Sequence, residues 1–274
     1  MRLRQETDAP VMECKQALEE AKGDFERAKE ILREKGKAAA VKRADRDTKE
    51  GVVAISKSAN HKSVGGVVLE CETDFVARNE DFIAIASELA EIFLHNDPGN
   101  DPMAVKHGNK SVKDIVEGAV AKIRENIKLT KAVHLHTDAN EYATYVHHDH
   151  KKGVIIEVNG DAKNAIEVGR AMAIQSVAHP PEFVSRDQVP KEFVDKQIQV
   201  ETKRAIEEGK DAKIAGNIAQ GRVNKEIMSR VVLLEQPLYK DQNKKVGDYL
   251  KEEAKNGGGT INIVRVIRLA VGEA

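Results

Sequence analysis

The chain has 274 residues, with 44 Lys and Arg against 45 Asp and Glu and no tryptophan, which removes a global electrostatic footprint for nucleic acid or acidic membrane and disfavours a base-stacking platform. Its two cysteines, Cys14 and Cys71, lack zinc-type spacing, the start is not signal-like, and no apolar run is long enough to span a bilayer. A reduced, cytoplasmic setting fits best, and the length allows one large or two modest domains.

Residues 1–36 read as a separate helical module. Leu3 belongs to a short opening segment, Thr7-Asp8-Ala9-Pro10 makes a turn, and Val11, Met12, Cys14, Ala17, Leu18 and Ala21 supply a helix face that Gly23 ends. Asp24 caps the next helix, where Phe25, Ala28, Ile31 and Leu32 recur at helical spacing before Gly36 stops it. Two short helices after a stub bury little area, so the module is marginally stable alone. Val11 and Met12 serve equally well as an exposed contact or as core. Residues 37–50 are charged and lack an apolar stripe, so they read as a solvated linker or frayed helix. Asp45, Asp47 and Glu50 interrupt their basic residues, which argues against a nucleic-acid arm.

From residue 51 strands mix with helices, and the fold class is α+β. A first core subdomain, 51–140, opens with a hairpin of Gly51 to Ser58 and Ser63 to Cys71. A helix carrying Phe82, Ile83, Ala86, Leu89, Ala90 and Phe93 follows, then a helix over Val112 to Ile127 and a strand over Lys131 to His136. A second, 141–188 with 231–274, repeats the order: a hairpin of Tyr142 to His148 and Gly153 to Val158, then a helix with Ile166, Val168, Ala171, Met172, Ile174 and Ala178 mostly on one face. Gly66-Val-Val-Leu-Glu-Cys71 aligns with Gly153-Val-Ile-Ile-Glu-Val158, so the core reads as a duplicated hairpin-plus-helix unit. Between its parts, 189–230 reads as an inserted antiparallel helical hairpin. Its narrow seam is Phe193, Val194, Ile198, Val200, Ala205 and Ile206 against Ile214, Ile218, Val223 and Ile227. Such an arm suits contact with a partner better than catalysis. A helix over Val246 to Lys255 and a strand over Ile261 to Leu269 close the chain.

Thr73, Asp74, Phe75 and Val76 sit at the corner between the buried strand ending at Cys71 and the helix behind it. Two readings stand. Thr73 or Asp74 caps the helix while Phe75 staples its first turn, or the corner projects an acid and a ring from a rigid base into another molecule.

Catalytic constellations are poor. His134 and His136 alternate on a strand and His147, His148 and His150 crowd a turn, so neither group ensures convergent metal ligands. No phosphate loop occurs, and Asn256-Gly257-Gly258-Gly259 follows a helix instead of opening one. His179, between Ala178 and Pro180, reads as structural, and no nucleophilic triad can be placed by spacing. An enzyme is disfavoured, and no metal or cofactor site is expected.

An ordered series of motifs runs along the chain. It comprises Leu3-Arg4 with Thr7, Met12 to Leu18, Thr73 to Asn79, Lys122-Ile123-Arg124-Glu125-Asn126-Ile127, Gln236-Pro237, Val246-Gly247 and Val271-Gly272-Glu273. By that series the chain resembles the elongation factor Ts family, the nucleotide-exchange factors of bacterial and organellar elongation factor Tu, over essentially its full length. The resemblance implies a ubiquitin-associated-like module of three helices, a two-part α+β core, a coiled-coil-like arm and a short C-terminal element. It implies elongation factor Tu, GDP-bound and nucleotide-free, as partner, with no direct nucleic acid and no membrane, and with an oligomer of the complex left open. It further implies that Thr73, Asp74, Phe75 and Val76 enter the partner beside its magnesium site, and that Val11, Met12 and Val231 contact the partner's G domain. Gln175 stands where a histidine touching that domain is common, Asp8 and Arg124 stand where glycine is usual, and most of the family's first helix is missing before Leu3. Rival readings are a helical interaction scaffold acting through residues 1–36 and a histidine-based metal enzyme.

Overall fold

In the computed structural model, which describes residues 2–7 and 9–273, the chain is α+β and divides into two compact units. One unit runs through His136 and takes back Val146–Gly153 and the stretch from Leu269; the other holds Thr137–Tyr145 and Val154–Arg268.

The first unit opens with three helices, α1 (Arg2–Thr7), α2 (Val11–Glu20) and α3 (Phe25–Arg43). Leu3, Cys14, Ala17, Ala28, Ile31 and Leu32 close a small core of their own among them. The opening segment is therefore a short helix and not a stub; Asp8, expected in the following turn, lies outside the described residues. Asp24 caps α3 as expected, accepting the Arg27 N–H at 2.9 Å. Gly36 does not stop that helix. A Cβ there would stand 2.8 Å from the Ala121 Cβ, so the glycine lets α3 approach a later helix closely, and the expected linker is helical as far as Arg43.

β1 (Glu50–Lys57) and β2 (Ser63–Cys71) pair antiparallel, with Val53 opposite Val68. The single helix expected behind the corner is two, α4 (Asp74–Ala77) and α5 (Glu80–His95), because Asn79 starts a new helix by accepting the Asp81 N–H at 2.8 Å. Helix α5 lays Phe82, Ala86, Leu89, Ala90 and Phe93 into the unit's main core. After a 3-10 turn at Pro102–Ala104, the two-residue strands β3 (Lys106–His107) and β4 (Lys110–Ser111) lead to α6 (Val112–Ile123), opened by a reciprocal Ser111–Asp114 capping box. Expected to reach Ile127, α6 ends four residues sooner because Arg124 turns left-handed at φ 68°. β5 (Lys128–His136) then pairs antiparallel with the free edge of β2. β2 is thus the middle strand, which is why its run of branched apolar residues is buried.

The second sheet has the order β10-β7-β6, formed by β6 (Glu141–Val146), β7 (Lys152–Asn159) and the closing strand β10 (Asn262–Ala270). As in the first sheet, the middle strand is the second of a hairpin. Helix α7 (Ala165–Ala178) follows, and its buried face differs from the expected one: Val168 and Met172 are joined by Ala165, Gly169, Ala173, Gln175 and Ser176. The arm consists of α8 (Lys191–Glu207), α9 (Ala212–Arg222), a π turn at Val223–Ile227 and α10 (Met228–Val231). Its seam is the expected one only in part. Ala205, Ala215 and Ala219 are buried along it, whereas Val200, Ile206 and Ile214 face solvent, since small side chains let the two helices approach. Phe193, Val194 and Ile198 pack on Val223, Ile227, Met228 and Val231 at the arm base. A hairpin not foreseen from sequence, β8 (Pro237–Leu238) and β9 (Asp241–Lys245), precedes α11 (Val246–Asn256).

No helix among the described residues is long and apolar enough to cross a membrane. The histidines take local partners: His134 Nδ1 sits 2.8 Å from Phe93 O, His136 Nδ1 sits 2.9 Å from Ser63 Oγ, and the His147 and His148 rings meet edge-on. Among the described residues no group of three or more His, Cys, Asp or Glu is placed to hold a metal ion.

Candidate functional site

The corner is built on the end of β2. Thr73, extended at φ −123° and ψ 152°, caps α4 by accepting the Val76 N–H at 3.4 Å. The single helical turn that follows has two faces. Ala77 is buried and Val76 packs on the main core, whereas Asp74 pairs outward with Arg78 at 3.1 Å. Phe75 is 84% exposed, the most exposed of the large apolar side chains among the described residues. Of the two sequence readings, the cap by Thr73 is present and the staple by Phe75 is not. A phenyl ring held in water on an ordered turn gives up about 1.5–3 kcal/mol of burial energy that a partner would restore. Behind the corner the Cys71 thiol donates to Thr73 O at 3.3 Å, and burial, reinforced by the charge of Glu125, pushes its pKa up to about 12. It is a neutral packing group and not a nucleophile.

The corner does not rest on its cap alone. One Glu125 oxygen accepts the backbone N–H groups of Glu72 and Thr73, each at 3.0 Å, and the other accepts the Thr73 hydroxyl at 2.6 Å. In return Glu72 accepts the Asn126 N–H at 2.7 Å. Sequence reasoning named the stretch Lys122–Ile127 but assigned it no task. Local pattern did not separate it from the helix before it, because the left-handed turn at Arg124 and the burial of Asn126 are set by tertiary contacts. Arg124 makes the left-handed turn and sends its guanidinium to the Glu13 carboxylate on α2.

Val11 and Met12 occupy the first turn of α2 and are 56% and 63% exposed, so they belong to the surface and not to the small helical core. Beside them a groove of about 350 Å³ is lined by Leu3, Val11, Cys14 and Leu18. With Phe75 they give the first unit two separate apolar protrusions on ordered backbone.

Gln175 and Val231 are placed otherwise. Gln175 is completely buried in the second unit: its amide donates to Gln236 Oε1 at 3.0 Å and to Pro237 O at 3.2 Å, and its carbonyl accepts the Tyr239 N–H at 2.7 Å. Gln236 in turn donates to His179 O at 3.1 Å and Arg230 O at 2.8 Å. Val231 is buried in the arm-base cluster, and its carbonyl accepts the N–H groups of Glu182 and Phe183. Neither side chain is presented at the surface. With every polar atom of Gln175 engaged and Val231 enclosed, these side chains secure the base of the arm from within.

Comparison with known proteins bears on the whole chain. The family described as elongation factor TS matches residues 72–273, a span that begins directly before the corner. Proteins named elongation factor Ts are similar along nearly the full length. That of Prosthecochloris aestuarii is 36% identical over 277 residues, covering 98% of this chain and 96% of its own. That of Chlorobaculum tepidum is 38% identical over 279 residues, with coverage of 98% and 96%. The Aquifex aeolicus protein is 35% identical over 284 residues, with coverage of 99% and 96%.

Proposed function

The chain belongs to the elongation factor Ts family of translation elongation factors, and from that premise we propose that it binds elongation factor Tu carrying GDP and promotes release of the nucleotide. The observation that carries this reading is Phe75, held 84% exposed on a capped turn whose other face is anchored in the core. Phe75 enters the partner's G domain beside its magnesium site as Asp74 engages the neighbouring loops by charge or hydrogen bond. Thr73 and Val76 keep the turn intact, while Val11 and Met12 grip a second apolar surface of the same domain.

The displacement works through the metal. Magnesium demands near-ideal octahedral oxygen geometry, so a small shift of its ligands weakens the ion and with it the bound GDP. Burying the ring contributes on the order of 1.5–3 kcal/mol toward that rearrangement. Linkage then requires the reverse: a chain that weakens nucleotide binding is itself released when GTP rebinds. In this scheme the chain holds no nucleotide or metal and makes and breaks no covalent bond. The arm, secured at its base by Gln175, Gln236 and Val231, adds a further contact with the partner.

Stopped-flow release of a fluorescent GDP from elongation factor Tu tests the reading. Wild-type chain should accelerate release strongly, and Phe75→Ala should lose most of that acceleration while its circular dichroism stays unchanged. Equal acceleration by the variant would remove Phe75 from the mechanism, and no acceleration by the wild type would refute exchange activity.

A further inference from the structure

Resting on the reading of Phe75 as the inserted group, we propose that Glu125 is the positioning residue of the corner, setting the direction in which α4 presents Asp74 and Phe75. Phe75 is too exposed to be oriented by its own packing, so its direction comes from the backbone. That backbone is a four-residue helix, too short to persist by its own hydrogen bonds. What enters it is fixed from outside: the carboxylate of Glu125 holds two consecutive N–H groups, of Glu72 and Thr73, together with the Thr73 hydroxyl. These are bonds to an ionised acceptor, roughly twice as strong as neutral ones.

The residues that hold Glu125 are themselves tied down. Asn126 is buried, donates its backbone N–H to Glu72 at 2.7 Å, and donates its side-chain amide to Arg46 O at 2.7 Å and Ala44 O at 3.3 Å. Glu125 therefore reaches the corner from a turn anchored on both sides, and the pairing is reciprocal: Glu125 takes the backbone of Glu72, and Glu72 takes the backbone of Asn126.

The test combines exchange kinetics with a double-mutant cycle in the full chain. Glu125→Ala should lower the maximal rate of GDP release from elongation factor Tu about tenfold, while the concentration giving half-maximal rate stays within about twofold, since Val11 and Met12 still bind. Glu125→Gln, whose amide oxygen can still accept both N–H groups, should fall between Glu125→Ala and wild type. It carries the same test should the alanine variant fail to fold. In an Asp74→Ala, Phe75→Ala background either change should add less than about a further twofold, because the effect runs through that pair. Amide exchange of the free variant should quicken at Glu72, Thr73 and Val76 while the strand amides of Val53 and Val68 keep their protection. Multiplicative losses in the combined variant, or a wild-type rate for Glu125→Ala beside a slow Phe75→Ala, would overturn the proposal alone. A wild-type rate for Phe75→Ala would overturn the reading of the corner and this inference with it.

Discussion

Gly65→Ala tests whether the face of β2 beneath α5 is as tightly closed as its geometry requires. A Cβ at Gly65 would lie 2.2 Å from both Ala90 O and Leu94 N and 2.5 Å from the Phe93 carbonyl carbon. All three are backbone atoms of α5, so no side-chain rotation relieves the clash. The helix must retreat by about 1 Å to restore van der Waals contact, and a gap of that size forfeits roughly a quarter to a half of the dispersion energy of the atoms it separates. The atoms concerned include those of Phe82, Leu89 and Phe93, all fully buried. Overpacking of this kind costs about 1–3 kcal/mol, and rigid neighbours place it near the upper end. Stiffening of the unfolded chain returns about 0.4–1 kcal/mol, leaving a net loss of about 2–2.5 kcal/mol. For a chain of this size that is a fall in Tm of about 4–10 °C, read by circular dichroism at 222 nm. The control is Gly118→Ala in α6, where an added Cβ meets nothing within 4 Å and the variant should gain about 0.5–1 kcal/mol. An unchanged or raised Tm for Gly65→Ala would refute the close contact between β2 and α5.

Three further outcomes are expected. Phe75→Ala should alter the urea midpoint by less than the equivalent of about 0.5 kcal/mol, because a ring already in water contributes little to folding; a larger loss would mean that Phe75 packs on the chain. Val11→Ala with Met12→Ala should raise the Kd for elongation factor Tu about tenfold or more by titration calorimetry, and unaltered affinity would remove both from the interface. The Asp114 carboxyl is held well below the usual carboxylate range by the Ser111 N–H and then by Arg33. Its stabilising effect is thus complete above the unfolded carboxylate value of about 3.9 and is lost as pH falls below it toward the folded value. The stability difference between wild type and Asp114→Asn should therefore shrink between pH 5 and pH 3, and a constant difference would argue against ionisation as its source.

The strands were the most legible elements, because a middle strand covered on both faces must be a run of branched apolar residues, and Val67-Val68-Leu69 and Val154-Ile155-Ile156 are such runs. What local pattern could not reveal were glycines and polar residues whose purpose is tertiary. Gly36 reads as a helix stop until Ala121 is seen against it, and Arg124 reads as helical until the left-handed turn appears. The corner was legible as a location. Its polarity was not, since Thr73-Asp74-Phe75 describes a capped and stapled turn as well as a capped turn with an exposed ring. Gln175 shows the opposite failure: a polar residue on a helix suggests surface, but three hydrogen bonds make it interior. The arm's base was read rightly, with Phe193, Val194 and Ile198 against Val223 and Ile227, but toward the tip Val200, Ile206 and Ile214 were misplaced for a similar reason. Periodicity counts large apolar residues, and the contact between α8 and α9 is made by alanines.

The amide pair beneath the arm has a consequence for how the protein responds to its medium. Gln175 and Gln236 carry no charge and exchange no proton, and their partners are backbone groups. Added salt screens ion pairs such as Arg222–Glu208 farther along the arm but leaves uncharged buried amides untouched. The base of the arm thus combines a buried amide joint indifferent to ionic strength with the Arg186–Glu235 ion pair, whose guanidinium also donates to Asn224 O at 3.2 Å and which salt does screen. A salt titration of the chain accordingly weakens the arm's ion pairs, at the base and along the shaft, while the Gln175–Gln236 amides keep their bonds.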